Sequence, residues 1–373
     1  MNNRFTPAFA AAAAALAIGV AACGSDQTSS NTPSTSGSGT KSAQLGGTLN
    51  GAGATFPQPV YQEWAAQFKD KYGTTVNYQG IGSGGGIAQF TAGTVDFGAT
   101  DSAMKDEEVT AAQAKGEPVH IPTVLGAVTV SYNLDGVKSG LKLDGATIAD
   151  IFLQKIKKWN DPKIAAQNSG TQLPSSNISI CHRSDESGTT KNFTAFLAAY
   201  SPAWKNGPGV DKSVKWPGGT GAKGNDGVAA CIKQNAGSVG YVEQAYALAN
   251  NFSFASVKNK TGDYIAPTLA STSAAADGLQ IPDDLRISTI DAPGKTAYPI
   301  TALTFLLVYQ DTCKAGKDAA TAKRLKAWLQ YAEGDGQSVA GELQYAKLPD
   351  ALHTKALAKV DGLQCNGQAI AGT

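Results

Sequence analysis

Two long apolar stretches limit the folds available to this chain more than any other feature. Pro122 to Asn133 is nearly continuous in apolar residues, and a similar stretch returns at Ala302 to Tyr309. Strands that are apolar along their whole length are typical of sheets covered on both faces, as in α/β proteins. Because the two stretches bracket the middle of the chain, they predict a discontinuous layout. The chain would leave a first lobe, build a second one and then return.

The length and net charge of the chain indicate that any ligand is bound at a local site rather than by a broad charged surface. A chain of 373 residues is long enough for two lobes, each with its own core. The formal net charge is only +1, so neither a nucleic-acid-binding face nor a polybasic membrane patch is indicated. We expect no nucleic-acid partner and no cofactor.

The N-terminal segment has the pattern of an export signal. Arg4 precedes a short apolar run, Ala8 to Ala22, that is too short to span a membrane. The run ends at Val-Ala-Ala-Cys23, which resembles a bacterial lipobox, whose cysteine is lipidated and becomes the first mature residue. The alternative is an ordinary signal peptide with an incidental cysteine. We favour a signal peptide over 1–22 and a lipidated, flexible tether over 23–45, which anchors an exported protein to the outer face of the cell membrane.

Four cysteines follow Cys23, and an even number in an exported chain indicates two disulfides. Spacing leaves three pairings open. We favour the pairing that keeps each bond within one lobe, which joins Cys181 to Cys231 and Cys313 to Cys365. A metal site is not expected, because the chain has no Cys-x-x-Cys and its histidines lie far apart in sequence.

Two glycine-rich turns in the first part of the chain are candidates for anion binding. A short strand runs through glycines into Thr55 and Phe56, directly before an amphipathic helix. A second strand gives way to Gly80–Gly86, where we predict that Ser83 caps a helix. The free N–H groups and the dipole of a helix start favour an anion there. The second turn lacks the Gly-Lys-Ser/Thr ending of a nucleotide P-loop, which excludes that function.

A third strand ends at Thr100 and Asp101. This places the Asp101 carboxylate at the carboxyl edge of a strand, where ligands of open α/β sheets bind. Considered alone, Asp101 is more simply explained as the cap of the acidic helix that follows.

The segment after residue 180 combines an arginine with a further predicted helix start. Arg183 offers a planar fork that matches an oxyanion, and Asp185 is close enough in sequence to orient it. Backbone N–H and hydroxyl donors would come from Ser187, Gly188 and Thr189. The alternative is an ordinary helix cap beside a surface ion pair of little energetic consequence.

Six short motifs, taken in order, resemble the periplasmic-type phosphate-binding proteins of phosphate-specific ABC transporters. They are Gly51-Ala-Gly-Ala-Thr-Phe-Pro57, Tyr78-Gln-Gly-Ile-Gly-Ser83, Val95-Asp-Phe-Gly-Ala-Thr-Asp101, Arg183-Ser-Asp-Glu-Ser-Gly-Thr189, Lys223-Gly-Asn-Asp-Gly227 and Gly240-Tyr-Val-Glu243. Each motif alone is weak support, but the six motifs follow one another in the family's order and together span most of the chain. The resemblance implies an α/β protein with the two-lobed type II periplasmic-binding-protein fold and the ligand in the cleft. Lobe I would comprise 46–133 and 300–373, and lobe II 134–299.

The resemblance also implies high-affinity binding of inorganic phosphate outside the cytoplasmic membrane. A monomer would deliver the phosphate to the permease and ATPase subunits of an ABC transporter. The implied phosphate-binding residues are Thr55, Phe56, Ser83, Asp101, Arg183, Asp185, Ser187, Gly188 and Thr189. Two positions depart from the family pattern, since Thr100 stands where Ser is familiar and Glu186 where Gly is common. We expect Glu186 to face solvent, because a second carboxylate in the site would repel phosphate.

The implied role of Asp101 distinguishes phosphate from its isosteres. A carboxylate can accept the proton of hydrogen phosphate, whereas it repels sulfate, which has no proton. This argues against a binding protein for sulfate or molybdate; a phosphate ester is a further alternative ligand.

An enzyme would need an activated nucleophile, a base or metals, and His182 is the nearest base in sequence. We expect His182 to point away from Arg183, because neighbours on a strand face opposite sides.

Overall fold

The structure is a computed structural model that describes residues 44–371. The apolar stretch predicted at 122–133 forms its central strand. This strand extends further than predicted, over Pro118–Asn133, and only its last residue is not buried. The second apolar stretch is also a buried strand, Thr301–Tyr309. The predicted signal peptide, the lipidation site at Cys23 and nearly all of the tether lie outside the described residues.

The strands and helices are numbered here in chain order. The strands are β1 Thr48–Gly53, β2 Thr75–Gly80, β3 Phe97–Thr100, β4 Pro118–Asn133, β5 Lys142–Leu143, β6 Ser179–Arg183, β7 Thr220–Ala222, β8 Ser238–Glu243, β9 Ser253–Phe254, β10 Ser256–Lys258, β11 Tyr264–Ile265, β12 Thr301–Tyr309, β13 Gln364–Cys365 and β14 Gln368–Ala369. The helices are α1 Gln58–Tyr72, α2 Ser83–Ala92, α3 Asp106–Ala112, α4 Gly145–Phe152, α5 Pro162–Gln167, α6 Gly188–Tyr200, α7 Pro202–Asn206, α8 Gly224–Gln234, α9 Gln244–Ala249, α10 Leu269–Ala274, α11 Ala319–Glu333, α12 Gly336–Glu342 and α13 Asp350–Asp361.

A mixed sheet with the strand order β2-β1-β3-β12-β4-β8-β6-β7 runs through the whole molecule. Strands β1, β2 and β3 are parallel to one another, as are β6, β7 and β8. β12 is antiparallel to both β3 and β4, and β4 is antiparallel to β8. The first part of β4 pairs with β12 and its last part pairs with β8, so one strand belongs to both halves of the sheet.

This sheet divides the fold into two lobes. We call the part built on β2, β1, β3 and β12 the first lobe, and the part built on β8, β6 and β7 the second lobe. The chain enters the first lobe, crosses along β4 into the second, and returns along β12 to add α11 and α13 to the first lobe. The architecture is therefore the two-lobed, discontinuous α/β arrangement predicted from the two apolar stretches.

Aromatic side chains fill the core of each lobe. In the first lobe, the buried face of α1 packs against α11, where Trp64 and Phe68 make edge-on contacts with Trp328. In the second lobe, Phe193 of α6 stacks on Tyr241 of β8 with ring centroids 4.3 Å apart. Helices α1 and α6 thus each bury an apolar face against a neighbouring helix or the sheet, as their spacing predicts.

Two disulfides join elements within the lobes. Cys181 of β6 is bonded to Cys231 of α8 in the second lobe, and Cys313 is bonded to Cys365 of β13 beside the first. This is the pairing that the sequence favoured among the three that it left open. Within residues 44–371, no helix has both the length and the apolar character needed to cross a membrane.

Candidate functional site

The loop between β1 and α1 presents two backbone N–H groups at the face of the first lobe. Thr55 and Phe56 are almost completely buried there. Their carbonyl groups are held by hydroxyl donors, Tyr246 Oη to Thr55 O at 2.5 Å and Tyr345 Oη to Phe56 O at 2.7 Å. Neither N–H group is bonded to an acceptor among the described residues. Both are therefore free to donate to a ligand at the start of α1.

Ser83 begins α2 and faces the second lobe. The prediction that it caps this helix was wrong: the N-cap is Gly82, whose φ of 89° suits glycine, and Ser83 is the first helical residue. Its hydroxyl is instead an acceptor for the N–H of Gly188, at 3.0 Å, and for the N–H of Asp101, at 3.3 Å. Ser83 thus contacts both lobes.

Asp101 lies just beyond the carboxyl end of β3 and is buried between the lobes. The simpler interpretation of Asp101 as a helix cap was wrong, because the N-cap of α3 is Lys105. Its carboxylate accepts hydrogen bonds from Thr304 Oγ1 at 3.0 Å, Ser83 Oγ at 3.4 Å and Thr189 Oγ1 at 3.5 Å. The carboxylate is therefore surrounded by donors from both lobes.

Burial raises the pKa of Asp101 to about 7, although the hydrogen bond from Thr304 and the charge of Arg183 oppose this shift. The carboxyl group can consequently gain or lose a proton near neutral pH. A carboxylate with these properties is suited to accept a proton from an anionic ligand that still carries one.

Arg183 and Asp185 form a buried, two-pronged ion pair at the end of β6. Arg183 Nε and Nη2 donate to the two Asp185 carboxylate oxygens at 2.7 and 2.5 Å. The Arg183 side chain is only 1% exposed, so the alternative of a surface ion pair was wrong. Burial acts to raise the pKa of Asp185, but the hydrogen bonds and charge of Arg183 outweigh it and hold the pKa below its ordinary value. Asp185 therefore stays charged and fixes the plane of the guanidinium.

The start of α6 supplies the remaining predicted donors. Ser187 is its N-cap, since its Oγ accepts from the Thr190 N–H at 3.1 Å, as the ordinary-cap interpretation required. The same hydroxyl can still donate to a ligand. Gly188 permits a close approach of the lobes, because a Cβ at this position would lie 2.7 Å from Ser83 Oγ and 2.8 Å from Asp101 Cβ.

The structure brings the nine predicted residues into one continuous cluster at the cleft. Thr189 links Arg183 to Asp101 through its hydroxyl, and Gly224 lies between Asp185 and Thr55. Glu186, beside this cluster, is exposed, as expected. Its carbonyl oxygen accepts the N–H of Gly84 from the first lobe at 3.0 Å, which adds a contact between the lobes without placing a second carboxylate inside the cluster.

Several contacts in the cluster come from residues to which the sequence assigned no role. Asn225 donates from its backbone N and its Nδ2 to Thr55 Oγ1, at 3.0 and 2.9 Å. It belongs to the Lys223–Gly227 motif, which was the available signal. Thr304 lies at a β-bulge between β12 and β4, and this irregularity accompanies its contact with Asp101.

His182 does not take part in the cluster. Its ring stacks on Trp216 with centroids 4.6 Å apart, and its Nδ1 lies 2.9 Å from the Arg183 carbonyl oxygen. Burial lowers its pKa. Among residues 44–371, no group of three or more His, Cys, Asp or Glu side chains could hold a metal ion.

Comparison with known proteins was consistent across sequence and structure. A family model described as a PBP superfamily domain matches residues 34–334. The chain is 42% identical over 332 residues to phosphate-binding protein PstS of Xylella fastidiosa, covering 88% of each chain. It is 36% identical over 376 residues to phosphate-binding protein PstS 3 of Mycobacterium tuberculosis, covering 97% of this chain and 99% of the relative.

Among solved structures, the fold is similar to that of a high-affinity periplasmic phosphate-binding protein bound with phosphate. The TM-score is 0.71 at 22% sequence identity, and the match covers 87% of this chain and 96% of the other. At this identity the likeness establishes the fold alone.

Proposed function

Because the chain belongs to the PBP superfamily and, within it, to the PstS phosphate-binding proteins, we propose that it binds inorganic phosphate and delivers it to an ABC-type permease. The relatives are named as binding proteins, and the protein is a binding protein rather than an enzyme. The observation that carries the proposal is the composition of the cleft. Hydrogen-bond donors from both lobes surround one buried carboxylate.

Each side of the cleft has a distinct part in this proposal. The first lobe contributes the N–H groups of Thr55 and Phe56 and the hydroxyls of Thr55 and Ser83. The second lobe contributes Arg183, oriented by Asp185, and the start of α6. The donors on that helix are Ser187, Gly188 and Thr189. An oxyanion held this way gains charge-assisted hydrogen bonds and the favourable end of the α6 dipole.

Among the described residues, Asp101 is the buried carboxylate that faces donors from both lobes without a paired cation, and it sets the selectivity. Hydrogen phosphate keeps a proton near neutral pH and can donate it to the carboxylate. Sulfate cannot do so, and its approach would leave two negative charges together in a buried site. Such a mismatch costs several kcal/mol or more than 10³-fold in affinity, on the order expected for unpaired buried polar groups.

Closure of the lobes is the step that captures phosphate. Contacts such as Gly188 N to Ser83 Oγ join residues 105 positions apart and exist only when the lobes meet. A ligand that bonds to both lobes stabilises this closed state through contacts that an open cleft cannot provide. The permease would then receive phosphate from the closed form.

The same proposal extends to the location and organisation of the protein. The apolar N-terminal run indicates export, and Cys23 would carry a lipid that anchors a monomer to the outer face of the cell membrane. We assign 46–133 and 300–373 to lobe I and 134–299 to lobe II. The contacts of β4 and β12 with both neighbours support this division.

Isothermal titration of the mature domain, stripped of ligand, tests the proposal directly. We expect one phosphate per protein, no response to sulfate, and a phosphate affinity lowered at least tenfold in the Asp101→Asn variant. The loss follows because the amide replaces an acceptor with a group that also presents a donor to the ligand. Sulfate binding should improve relative to wild type, since the opposing charge is removed.

Asp96→Asn is the matched control. Asp96 lies five positions earlier, where its carboxylate accepts the Asn50 N–H and pairs with Lys317 away from the cleft. Its replacement should leave both affinities unchanged. Folded wild-type protein that binds no phosphate would rule out the function, and a phosphate ester bound more tightly than phosphate would reassign the ligand.

A further inference from the structure

We propose that Asn225 is a positioning residue that compels the Thr55 hydroxyl to act as a donor toward the ligand. The inference rests on the proposed function and adds a residue that acts through the Thr55 hydroxyl. It follows from counting the hydrogen bonds that one hydroxyl group can make.

The Thr55 hydroxyl has one hydrogen to donate and two lone pairs that accept. Asn225 occupies both lone pairs, because its backbone N–H and its Nδ2 both donate to Thr55 Oγ1, at 3.0 and 2.9 Å. Thr55 is only 2% exposed and Asn225 is fully buried, so water cannot easily exchange with either contact. The remaining capacity of the hydroxyl is to donate its hydrogen.

The orientation of the Asn225 amide is fixed by a second contact. Its Oδ1 accepts the backbone N–H of Glu243 at 2.9 Å, at the end of β8. An amide turned the other way would face that N–H with another donor. The amide nitrogen is therefore the atom that faces Thr55, and it cannot accept the Thr55 hydrogen.

The two residues lie in different lobes, 170 positions apart. Thr55 precedes α1 in the first lobe, and Asn225 is the second residue of α8 in the second. The backbone N–H of Asn225 is one of the groups at the start of α8 that have no partner within the helix. Thr55 Oγ1 accepts this N–H and so caps α8 across the cleft. The hydroxyl is consequently set as a donor only when the cleft is closed, which couples closure to ligand binding.

A double-mutant cycle measured by phosphate titration tests this role. Asn225→Ala frees one lone pair of the hydroxyl and should weaken phosphate binding about tenfold, the order expected for one hydrogen bond to a charged group. In a Thr55→Val background, which keeps the shape but removes the hydroxyl, the same change should alter affinity less than twofold. In a Thr55→Ser background, which restores the hydroxyl, the tenfold loss should return.

Asn225→Asp provides a second variant if the alanine protein does not fold. It keeps an acceptor for the Glu243 N–H but presents an acceptor to Thr55, which turns the hydroxyl hydrogen away from the ligand. Its effect should also depend on the hydroxyl, with a larger loss in wild type and Thr55→Ser than in Thr55→Val.

The outcomes separate this inference from the proposed function. Equal losses in the Thr55→Val and Thr55→Ser backgrounds would overturn it, since a purely structural role of Asn225 does not require the hydroxyl. An unchanged affinity of Asn225→Ala would do the same. Wild-type protein that binds no phosphate would overturn the proposed function and this inference with it.

Discussion

At the scale of single residues, Asp101 combines properties that are costly in a folded protein. It is 2% exposed and forms no ion pair with any residue of the described chain, and burial raises its pKa to about 7. Hydroxyl groups and the more distant charge of Arg183 stabilise the carboxylate, but burial outweighs them. The stability of the closed, ligand-free protein should therefore depend on the protonation of this residue.

The Asp101→Asn variant should have a different pH dependence of stability from wild type. The unfolded carboxyl group has a pKa of about 3.9 and the folded one a pKa of about 7, so between these values folding takes up a proton. The stability that Asp101 contributes is complete below about pH 4 and is lost as pH rises toward 7. Wild type should lose up to about 4 kcal/mol relative to the variant over this range.

Thermal unfolding of both ligand-free proteins at pH 4.5 and pH 8 measures the difference. The variant should gain several degrees on wild type at the higher pH. Glu243 and Glu333, whose pKa values burial also raises, are present in both proteins and cancel. Parallel changes in the two melting temperatures would show that Asp101 is already ionised in the folded state at low pH.

The residues that the sequence could identify are those with a local signal. Thr55, Ser83 and Arg183 each lie at a turn between a strand and a helix, and the turn is visible in a few consecutive letters. Thr304 has no such signal, and its partner Asp101 lies 203 positions away. Asn225 lies within the Lys223–Gly227 motif, but that motif does not show that its partner is Thr55, 170 positions away. Their contacts depend on which strands become neighbours, and local propensity does not contain that information.

At the scale of elements, one helix end differs from what the sequence predicts, for a local reason. Apolar residues from Ile148 to Lys158 predict a helix there, but the helix ends at Phe152, because the backbone turns left-handed at Gln154, where φ is 58°. The apolar residues beyond it belong to a turn rather than to a further helical turn. Apolar spacing predicted the buried faces correctly but could not fix where a helix ends.

The Cys181–Cys231 disulfide should matter for both stability and ligand binding. It joins β6, which leads to Arg183 and Asp185, to α8, which carries Asn225. Its removal in a Cys181→Ser/Cys231→Ser variant frees a segment of 50 residues and should lower the free energy of unfolding by about 2–4 kcal/mol. Phosphate affinity should fall as well, because these two elements are no longer tied together.

The other disulfide supplies a control of nearly the same size. Cys313 and Cys365 are separated by 52 residues; Cys365 lies in β13 and Cys313 in the turn that follows β12. Their replacement by serine should cost similar stability, measured by urea unfolding, without a change in phosphate affinity. If the two double variants lost the same affinity, the effect would reflect general destabilisation rather than the arrangement of β6 and α8.

At the scale of the whole molecule, two ion pairs join the lobes beside the cleft. The lysine comes from the first lobe in one pair and from the second lobe in the other. Lys105 pairs with Asp211 at 2.8 Å, and Lys212 pairs with Glu108. Lys105 and Glu108 belong to the α3 region of the first lobe, whereas Asp211 and Lys212 are adjacent residues of the second. The Lys212 side chain is 3% exposed, while those of Lys105 and Asp211 are 35% and 39% exposed.

Removal of the two lysines should weaken phosphate binding to different extents. Lys212→Met leaves Glu108 without its buried partner, and we expect phosphate affinity to fall about tenfold, since breaking a buried pair is costly. Lys105→Met should reduce affinity less than about threefold, because exposed pairs contribute little. Titration in high salt should abolish the Lys105 effect and preserve most of the Lys212 effect.

Lys71→Met serves as the reference for a pair within one lobe. Lys71 contacts Asp335 at 2.5 Å on the surface of the first lobe, and its loss should not change phosphate affinity. Equal effects of all three substitutions would mean that net charge, rather than contact between the lobes, determines the change.

The position of β12 determines the order in which an exported chain can fold. This strand lies between β3 and β4, yet it is made after the entire second lobe, and Thr304 contacts Thr100 across 204 residues. On the export route proposed above, a chain that crosses the membrane from its N-terminus keeps the inner edges of β3 and β4 unpaired until about residue 309 has emerged. Such edges favour aggregation, and distant pairing is slow. The lobe that is synthesised first is consequently the one that is completed last, and in a chain exported by this route we expect it to need protection during that interval.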